Sequence, residues 1–314
     1  MERMLIAGAG ALGSVYGGLL AAAGAEVLLV ARGAHADAMC ERGLELRLPS
    51  GTLRVPVRVA AEGAADTVLV TAKAFDTAAV LDRVRGTPAL VVSFQNGLGK
   101  NDALADRFGE APVVGGSSMV TAEIVEPGVV RSESLGVTSI GELAGGSSER
   151  VEQLAQLLRK AGLETRTVDD VRSVEWSKLA QVAAMMAVQV VSRRYVHEIL
   201  LSPDGRALVA GIVAEVASIA SERGVALADL PGLLPVASIA RGPDAGSSML
   251  EAAGQALRAS GRLAYRTSLL QSFEAGRTTE LEAIHGELVR AAADRGVRVP
   301  TLAACYRIAR LSGA

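Results

Sequence analysis

The stretch "MLIAGAGALGSVYGGLLAAAGAEVLLVARG", residues 4–33, limits the fold of this chain more than any other segment. A short apolar run, Met4 to Ala7, leads into Gly8-Ala9-Gly10-Ala11-Leu12-Gly13. An Ala/Leu/Gly stretch then continues to Ala23, Gly24 interrupts it, and the β-branched and leucine-rich "EVLLVA" follows. The order is strand, glycine turn, helix, glycine stop, strand. A lone G-x-G-x-x-G is a weak signal, because any turn can hold glycines. Ending a strand and opening a helix inside one βαβ unit, it reads as a dinucleotide-binding fingerprint. Gly8 permits the tight turn, Gly10 lets the backbone approach a pyrophosphate, and Gly13 lets helix and strand pack closely. The unpaired N–H groups at the helix start attract phosphate oxygens. The six residues Gly8, Ala9, Gly10, Ala11, Leu12 and Gly13 are therefore expected to hold a cofactor.

The second strand ends in Ala31-Arg32. An NAD-specific site usually carries Asp or Glu at this place, to accept from the ribose hydroxyls. An arginine there suits a 2′-phosphate through charge-assisted hydrogen bonds, so Arg32 points to NADPH. A surface arginine opening a loop would look the same in isolation. Two more strands follow the same grammar. "TVLVTAKAFDT" ends at Lys73 and "PALVVSFQNGLG" at Gln95-Asn96-Gly97. Ligands of open α/β sheets bind beyond the carboxyl ends of the strands, so Lys73 and Asn96 are expected to face one crevice. "VVGGSSMV", "GVVRSES" and "VTSIGEL" read as further strands, and "SERVEQLAQLLRKAGLETRTVDD" as an amphipathic helix with a last strand.

Beyond Asp169 the grammar changes. "GRALVAGIVAEVASIASERGV" and "TELEAIHGELVRAAADRGVRVP" read as long helices, each stopped by glycine, and few strand-like runs remain. The expected fold is α/β, with an N-terminal Rossmann-type dinucleotide-binding domain over residues 1–169 and an all-helical domain over residues 170–314. A substrate cleft is expected between them, and the helical part would carry substrate and any homodimer contact. One segment of it, "EWSKLAQVAAMMAVQVV", reads as a helix apolar nearly all round. Lys178 stands near its start, where partial desolvation disfavours the ammonium form. Taken alone, that lysine also fits a side chain snorkelling to the surface.

The bulk numbers exclude several classes. With a formal net charge of -2 and no basic run, nucleic acid is not an expected partner. No charge-free apolar run reaches the ~20 residues that span a bilayer, and no signal peptide opens the chain, so a cytoplasmic protein off the membrane is expected. The 2 cysteines lie far apart, which fits a reducing compartment. No metal site is expected.

Together and in order, "GAGALGSVYGGLLAAAG", "KAFDT", "QNGLG", "EPGVV", "EWSKL" and "TSLLQSFEAGRTTELEAIHGELVR" resemble the ketopantoate reductases (2-dehydropantoate 2-reductases) over nearly the whole chain. The resemblance implies NADPH-dependent reduction of a 2-oxo acid, ketopantoate, on the route to pantothenate. It also implies that Lys178 is the catalytic lysine, that Glu280 is the catalytic glutamate and touches the cofactor, and that Ser268 and Asn96 bind substrate. In chemical terms, hydride reaching a carbonyl carbon leaves charge on oxygen, and a nearby ammonium stabilises that charge and delivers the proton. The chain departs from the family at its substrate asparagines. Val182 and Met186 stand four and eight residues after Lys178, and Tyr265 stands three before Ser268. The expected pocket is greasier, so a bulkier or less polar carbonyl substrate is the alternative to ketopantoate. A non-catalytic NADP(H)-binding sensor is a third reading, opposed by the retention of both Lys178 and Glu280.

Overall fold

The structure is a computed structural model that describes residues 3–232, 234–261 and 263–314, with backbone only at 243–245. The chain divides into two compact units, one ending at Val171 and the other beginning at Arg172.

The first unit is built on an eight-stranded sheet. Its strands are β1 (Arg3–Ala7), β2 (Glu26–Val30), β5 (Arg58–Ala60), β6 (Thr67–Val70), β7 (Leu90–Ser93), β8 (Val113–Ser118), β11 (Thr138–Glu142) and β12 (Thr165–Thr167). They lie in the order β12-β11-β8-β7-β6-β1-β2-β5. All pairs are parallel except β8 with β11. Central strands of such a sheet are covered on both faces, which explains why Val68–Val70 of β6 and Leu90–Val92 of β7 are apolar without alternation and both strands are buried throughout. The connections carry α1 (Ala11–Ala22), α2 (Gly33–Arg42), α3 (Thr77–Leu81), α4 (Lys100–Phe108) and α5 (Glu149–Lys160).

A second sheet of four strands, β4-β3-β10-β9, joins β3 (Leu44–Leu48), β4 (Gly51–Val55), β9 (Thr121–Glu126) and β10 (Val129–Ser134). The sequence reading foresaw β10 but not the β3–β4 hairpin, which turns at "PSG". Helix α1 packs against both sheets, and its paired glycines explain how. A Cβ on Gly17 would stand 2.9 Å from Leu29 of the main sheet, and one on Gly18 would stand 2.8 Å from Leu44 of the small sheet. Between these close approaches, Tyr16 is fully buried, stacked on Phe94 with ring centroids 4.8 Å apart. Its hydroxyl donates to Ser118 Oγ at 2.9 Å and also meets Thr138 Oγ1. Burial pushes the phenol pKa up to about 12.

The second unit is helical: α6 (Val171–Ser192), α7 (Val196–Leu201), α8 (Pro203–Ser221), α9 (Val236–Arg241), α10 (Pro243–Ala259), α11 (Ser268–Glu274), α12 (Glu287–Ala293) and α13 (Pro300–Leu311). Helix α6 is buried on most sides by design of its sequence. Ala180, Ala183, Ala184 and Ala187 have almost no exposure, and their small side chains admit close neighbours. On α8, Val209, Ile212, Val213 and Val216 form a buried stripe at helical spacing. Glu215 of α8 caps α13, accepting from the N–H groups of Thr301 and Leu302 at 2.8 Å each. The long helix expected over "TELEAIHGELVRAAADRGVRVP" is interrupted: Glu282–Gly286 form one wide π-helical turn before α12 begins. Periodicity read from sequence does not register a single extra residue in a turn. Among the described residues, no helix is long and apolar enough to cross a membrane.

Candidate active site

The glycine cradle sits beyond β1. Gly8 adopts φ +92°, and a Cβ there would stand 2.6 Å from Ala72 Cβ. Its carbonyl accepts from Thr71 Oγ1 at 2.9 Å, while Ala9 N–H donates to Val30 O at 2.8 Å. The turn is thus anchored to both neighbouring strand ends. At Gly13 a Cβ would stand 2.7 Å from Gly8 O, so only glycine lets α1 start this close to β1. Gly10 differs, since a Cβ there would meet nothing within 4 Å. The open side of the turn is therefore at Gly10. The start of α1 has no side-chain cap and no acidic residue in its first turn. Uncapped N–H groups and the positive end of the helix dipole face that open side, which fits a pyrophosphate. Ala9 is buried, so it can serve a cofactor only through its backbone, whereas Leu12 is half-buried and packs against the core.

Arg32 lies just past β2 and is the N-cap residue of α2. Its guanidinium pairs with Asp76 Oδ1 at 3.1 Å. Lys73 lies three residues past β6 with its side chain exposed, and its carbonyl accepts from Asp76 N–H at 2.9 Å and Gln95 Nε2 at 3.3 Å. Asn96 follows β7 and is half-buried. The residue beside it was not singled out from sequence: buried Gln95 donates to Thr77 Oγ1 at 2.9 Å and accepts from Ser93 Oγ at 3.0 Å. That amide ties the loop carrying Lys73 to the loop carrying Asn96. Lys100 ties the start of α4 to β7 and β8, donating to Ser93 O at 3.0 Å and to Gly116 O. A Ser–His contact also occurs here, between Ser14 Oγ and His35 Nε2 at 3.0 Å. It is not a nucleophile–base pair. His35 Nδ1 accepts from Gly128 N–H, so the neutral ring carries its proton on Nε2 and donates to the serine.

In the helical unit, α6 organises the other expected residues. Lys178, Val182 and Met186 recur at four-residue spacing, and Gln189 lies three further on, so all four share one side of the helix. Lys178 and Val182 are half-buried, while Met186 and Gln189 are buried. Gln189 is the polar residue that explains the assembly. Its Nε2 donates to Tyr265 O at 3.1 Å, and its Oε1 accepts from Thr267 N–H at 2.6 Å. One amide clamps the backbone on both sides of Arg266, and Ser268 opens α11 immediately afterwards. Tyr265 is held to α6 by its backbone, with 36% of its surface exposed. Thr267 is 9% exposed, and its hydroxyl has no hydrogen-bond partner among the described residues. Glu280 is buried. The π turn behind it is attached to α6 by His285, whose Nε2 meets Ala183 O at 2.9 Å. Full burial pushes the imidazole pKa down to about 4, so the ring is neutral and donates to that carbonyl. Neither Gln189 nor His285 is among the site residues expected from the sequence.

The comparisons with known proteins agree with this division. Residues 4–145 match the model described as ketopantoate reductase PanE/ApbA, and residues 170–312 match its C-terminal model. A 2-dehydropantoate 2-reductase from Archaeoglobus fulgidus is 31% identical over 299 residues, covering 95% of this chain and 93% of that protein. The solved 2-dehydropantoate 2-reductase from Geobacter metallireducens GS-15 superposes with a TM-score of 0.83 at 28% identity, covering 99% of both chains. A ternary structure of D-mandelate dehydrogenase with NADH and anilino(oxo)acetate shares the fold, with a TM-score of 0.85 at 22% identity over 98% of this chain and 97% of that one. With both halves of the family pattern matched in order and a full-length relative at this identity, the chain belongs to the ketopantoate reductases, NADP-dependent oxidoreductases acting on CH–OH groups.

Proposed function

We propose that this protein reduces a 2-oxo acid with an apolar tail to the 2-hydroxy acid, with NADPH preferred. When bound, the reduced nicotinamide supplies the hydride. Gly8, Gly10 and Gly13 shape the cradle for the pyrophosphate, with Ala9, Ala11 and Leu12 contributing backbone, and Arg32 takes the 2′-phosphate. Lys73 and Asn96 line the same crevice. Lys178 stabilises the charge that develops on the substrate oxygen and delivers the proton, and Glu280 orients the lysine. Ser268 holds the carboxylate.

The observation that carries this reading is the Gln189 clamp. It fastens the Ser268 segment to the same helix side that bears Lys178, Val182 and Met186. The clamp thus fastens the segment leading to the proposed carboxylate site onto the helix that carries the proposed proton donor and apolar wall. The substrate tail is argued from Val182, Met186 and Tyr265, which offer no amide to a polar group. D-mandelate dehydrogenase, captured with anilino(oxo)acetate, supports the idea that this fold accommodates an aryl substituent. The test is a kcat/KM series with NADPH, ketopantoate against 2-oxo acids of increasing apolar bulk, on the wild type and on Lys178→Ala. The apolar acids should win, and Lys178→Ala should lose ~10²-fold or more in kcat while still binding NADPH. A clear win for ketopantoate would remove the apolar-tail reading, and near-normal turnover by Lys178→Ala would remove the proton-donor assignment.

A further inference from the structure

We propose that Asp76 is a cofactor-specificity residue and that the Arg32–Asp76 pair lets the 2′ end of the site take NADH as well as NADPH. The inference rests on the reading of Arg32 as the 2′-phosphate residue and goes one step past it. The sequence lacks the acidic residue that NAD-specific sites carry at the end of the second strand. The fold supplies one from elsewhere. Strands β2 and β6 flank β1, and the segments that follow them meet above the glycine cradle, where Arg32 Nη2 lies 3.1 Å from Asp76 Oδ1. An arginine and a carboxylate therefore stand together where the adenosine ribose of a dinucleotide bound in this cradle would lie.

Three features argue that the pair faces a ligand and is not a fold staple. Both side chains are well exposed, 68% for Arg32 and 37% for Asp76, and an ion pair in that setting contributes little to folding. Among the described residues neither side chain has any other hydrogen-bond or ion-pair partner. Most of the guanidinium donors and one carboxylate oxygen are thus available. Finally, Asp76 is fixed from behind, its backbone N–H donating to Lys73 O at 2.9 Å, and that carbonyl in turn accepts from Gln95. The backbone that carries the carboxylate is thus fixed by the loop, independently of the arginine.

The chemistry of the two ribose ends then differs in sign. A 2′-phosphate draws the guanidinium into paired hydrogen bonds and is repelled by the carboxylate beside it. A 2′-hydroxyl has no charge to offer Arg32, but it can donate to Asp76, as ribose hydroxyls do to acidic residues in NAD-specific sites. Asp76 accordingly weakens NADPH binding and strengthens NADH binding, which narrows the preference that Arg32 alone would impose.

The experiment is equilibrium titration of NADPH and of NADH, followed by nicotinamide fluorescence, with wild type, Arg32→Ala, Asp76→Asn and Asp76→Ser; no substrate is needed. Asp76→Asn should tighten NADPH and loosen NADH, moving the ratio of the two Kd values by roughly tenfold. Arg32→Ala should move it the other way. Both shifts should shrink as salt rises, because exposed charges are screened. An unchanged ratio in both Asp76 variants, or equal loss of both cofactors, would overturn the role of Asp76. If Arg32→Ala still costs NADPH alone in that case, the Arg32 reading survives by itself. Failure of the wild type to bind either dinucleotide would overturn both.

Discussion

The two halves of this protein build their sites from different materials. In the sheet unit the proposed cofactor cradle is mostly backbone. Gly8, Gly10 and Gly13 act through what they lack, and the residues between them contribute N–H groups. In the helical unit the proposed site is mostly side chain: Lys178, Ser268 and Glu280 are proposed to act through their functional groups, while Gln189 and His285 fasten neighbouring backbone to α6. A backbone site tolerates almost any neighbour but no Cβ at its turn points. A side-chain site would tolerate changes of substrate-facing residues, the role proposed for Val182, Met186 and Tyr265, provided the side chains that hold it remain. The difference predicts unequal responses to single substitutions.

The largest effect is expected at the turn. Gly8→Ala adds one methyl group, yet it must adopt φ +92° and meet Ala72 backbone atoms at 2.8 Å. Strain and overpacking together should cost about 3 kcal/mol or more. Thermal unfolding should show a fall in Tm, and dinucleotide titration a loss of binding for both NADPH and NADH. A stable variant with normal cofactor affinity would mean that the loop can open away from Ala72, and the contrast between the two regions would weaken.

A smaller and more selective effect is expected at Gln189. Gln189→Leu keeps the volume but removes the acceptor that satisfies Thr267 N–H. A buried donor left without its partner costs about 1–3 kcal/mol. The loss should appear in Tm and in KM for the oxo acid, with cofactor Kd unchanged, because the clamp lies wholly within the helical unit. If the cofactor Kd shifts as much as KM, the two sites do not respond independently.

The same contrast explains which parts of the molecule were legible in the sequence. The glycine fingerprint, the strands leading to Lys73 and Asn96, and the helix bearing Lys178 all announce themselves locally, by spacing or by an apolar run. The β3–β4 hairpin gave a weaker signal, because "LELRL" and "TLRV" mix charge with leucine on a small, half-exposed sheet. Asp76 was invisible as a partner of Arg32, since 44 residues separate them and only the strand order brings them together. Gln189 looked like an isolated polar residue because its partners are main-chain atoms, and any sequence at 265–267 offers the same ones. His285 sits in a turn whose extra residue no period reveals.

The smallest predicted effect tests His285 and needs the sign of a titration. Its pKa in the folded protein is lowered to about 4 by burial, against ~6.5 in an unfolded chain. Between those values the unfolded state binds the proton and the folded state does not. Stability from this group is therefore complete above pH ~6.5 and is lost as pH falls toward 4. Between pH 7 and pH 6 the loss should be about 0.7 kcal/mol. His285→Gln keeps a donor for Ala183 O and has nothing to titrate, so its unfolding free energy should fall less over that interval, by the same amount. Urea unfolding at the two pH values, wild type beside variant, measures the difference directly. Because both proteins retain His35, whose pKa burial also lowers, that contribution cancels in the comparison. Identical pH slopes would mean that His285 takes up a proton as readily in the folded protein as in the unfolded chain, and that burial does not hold the ring neutral.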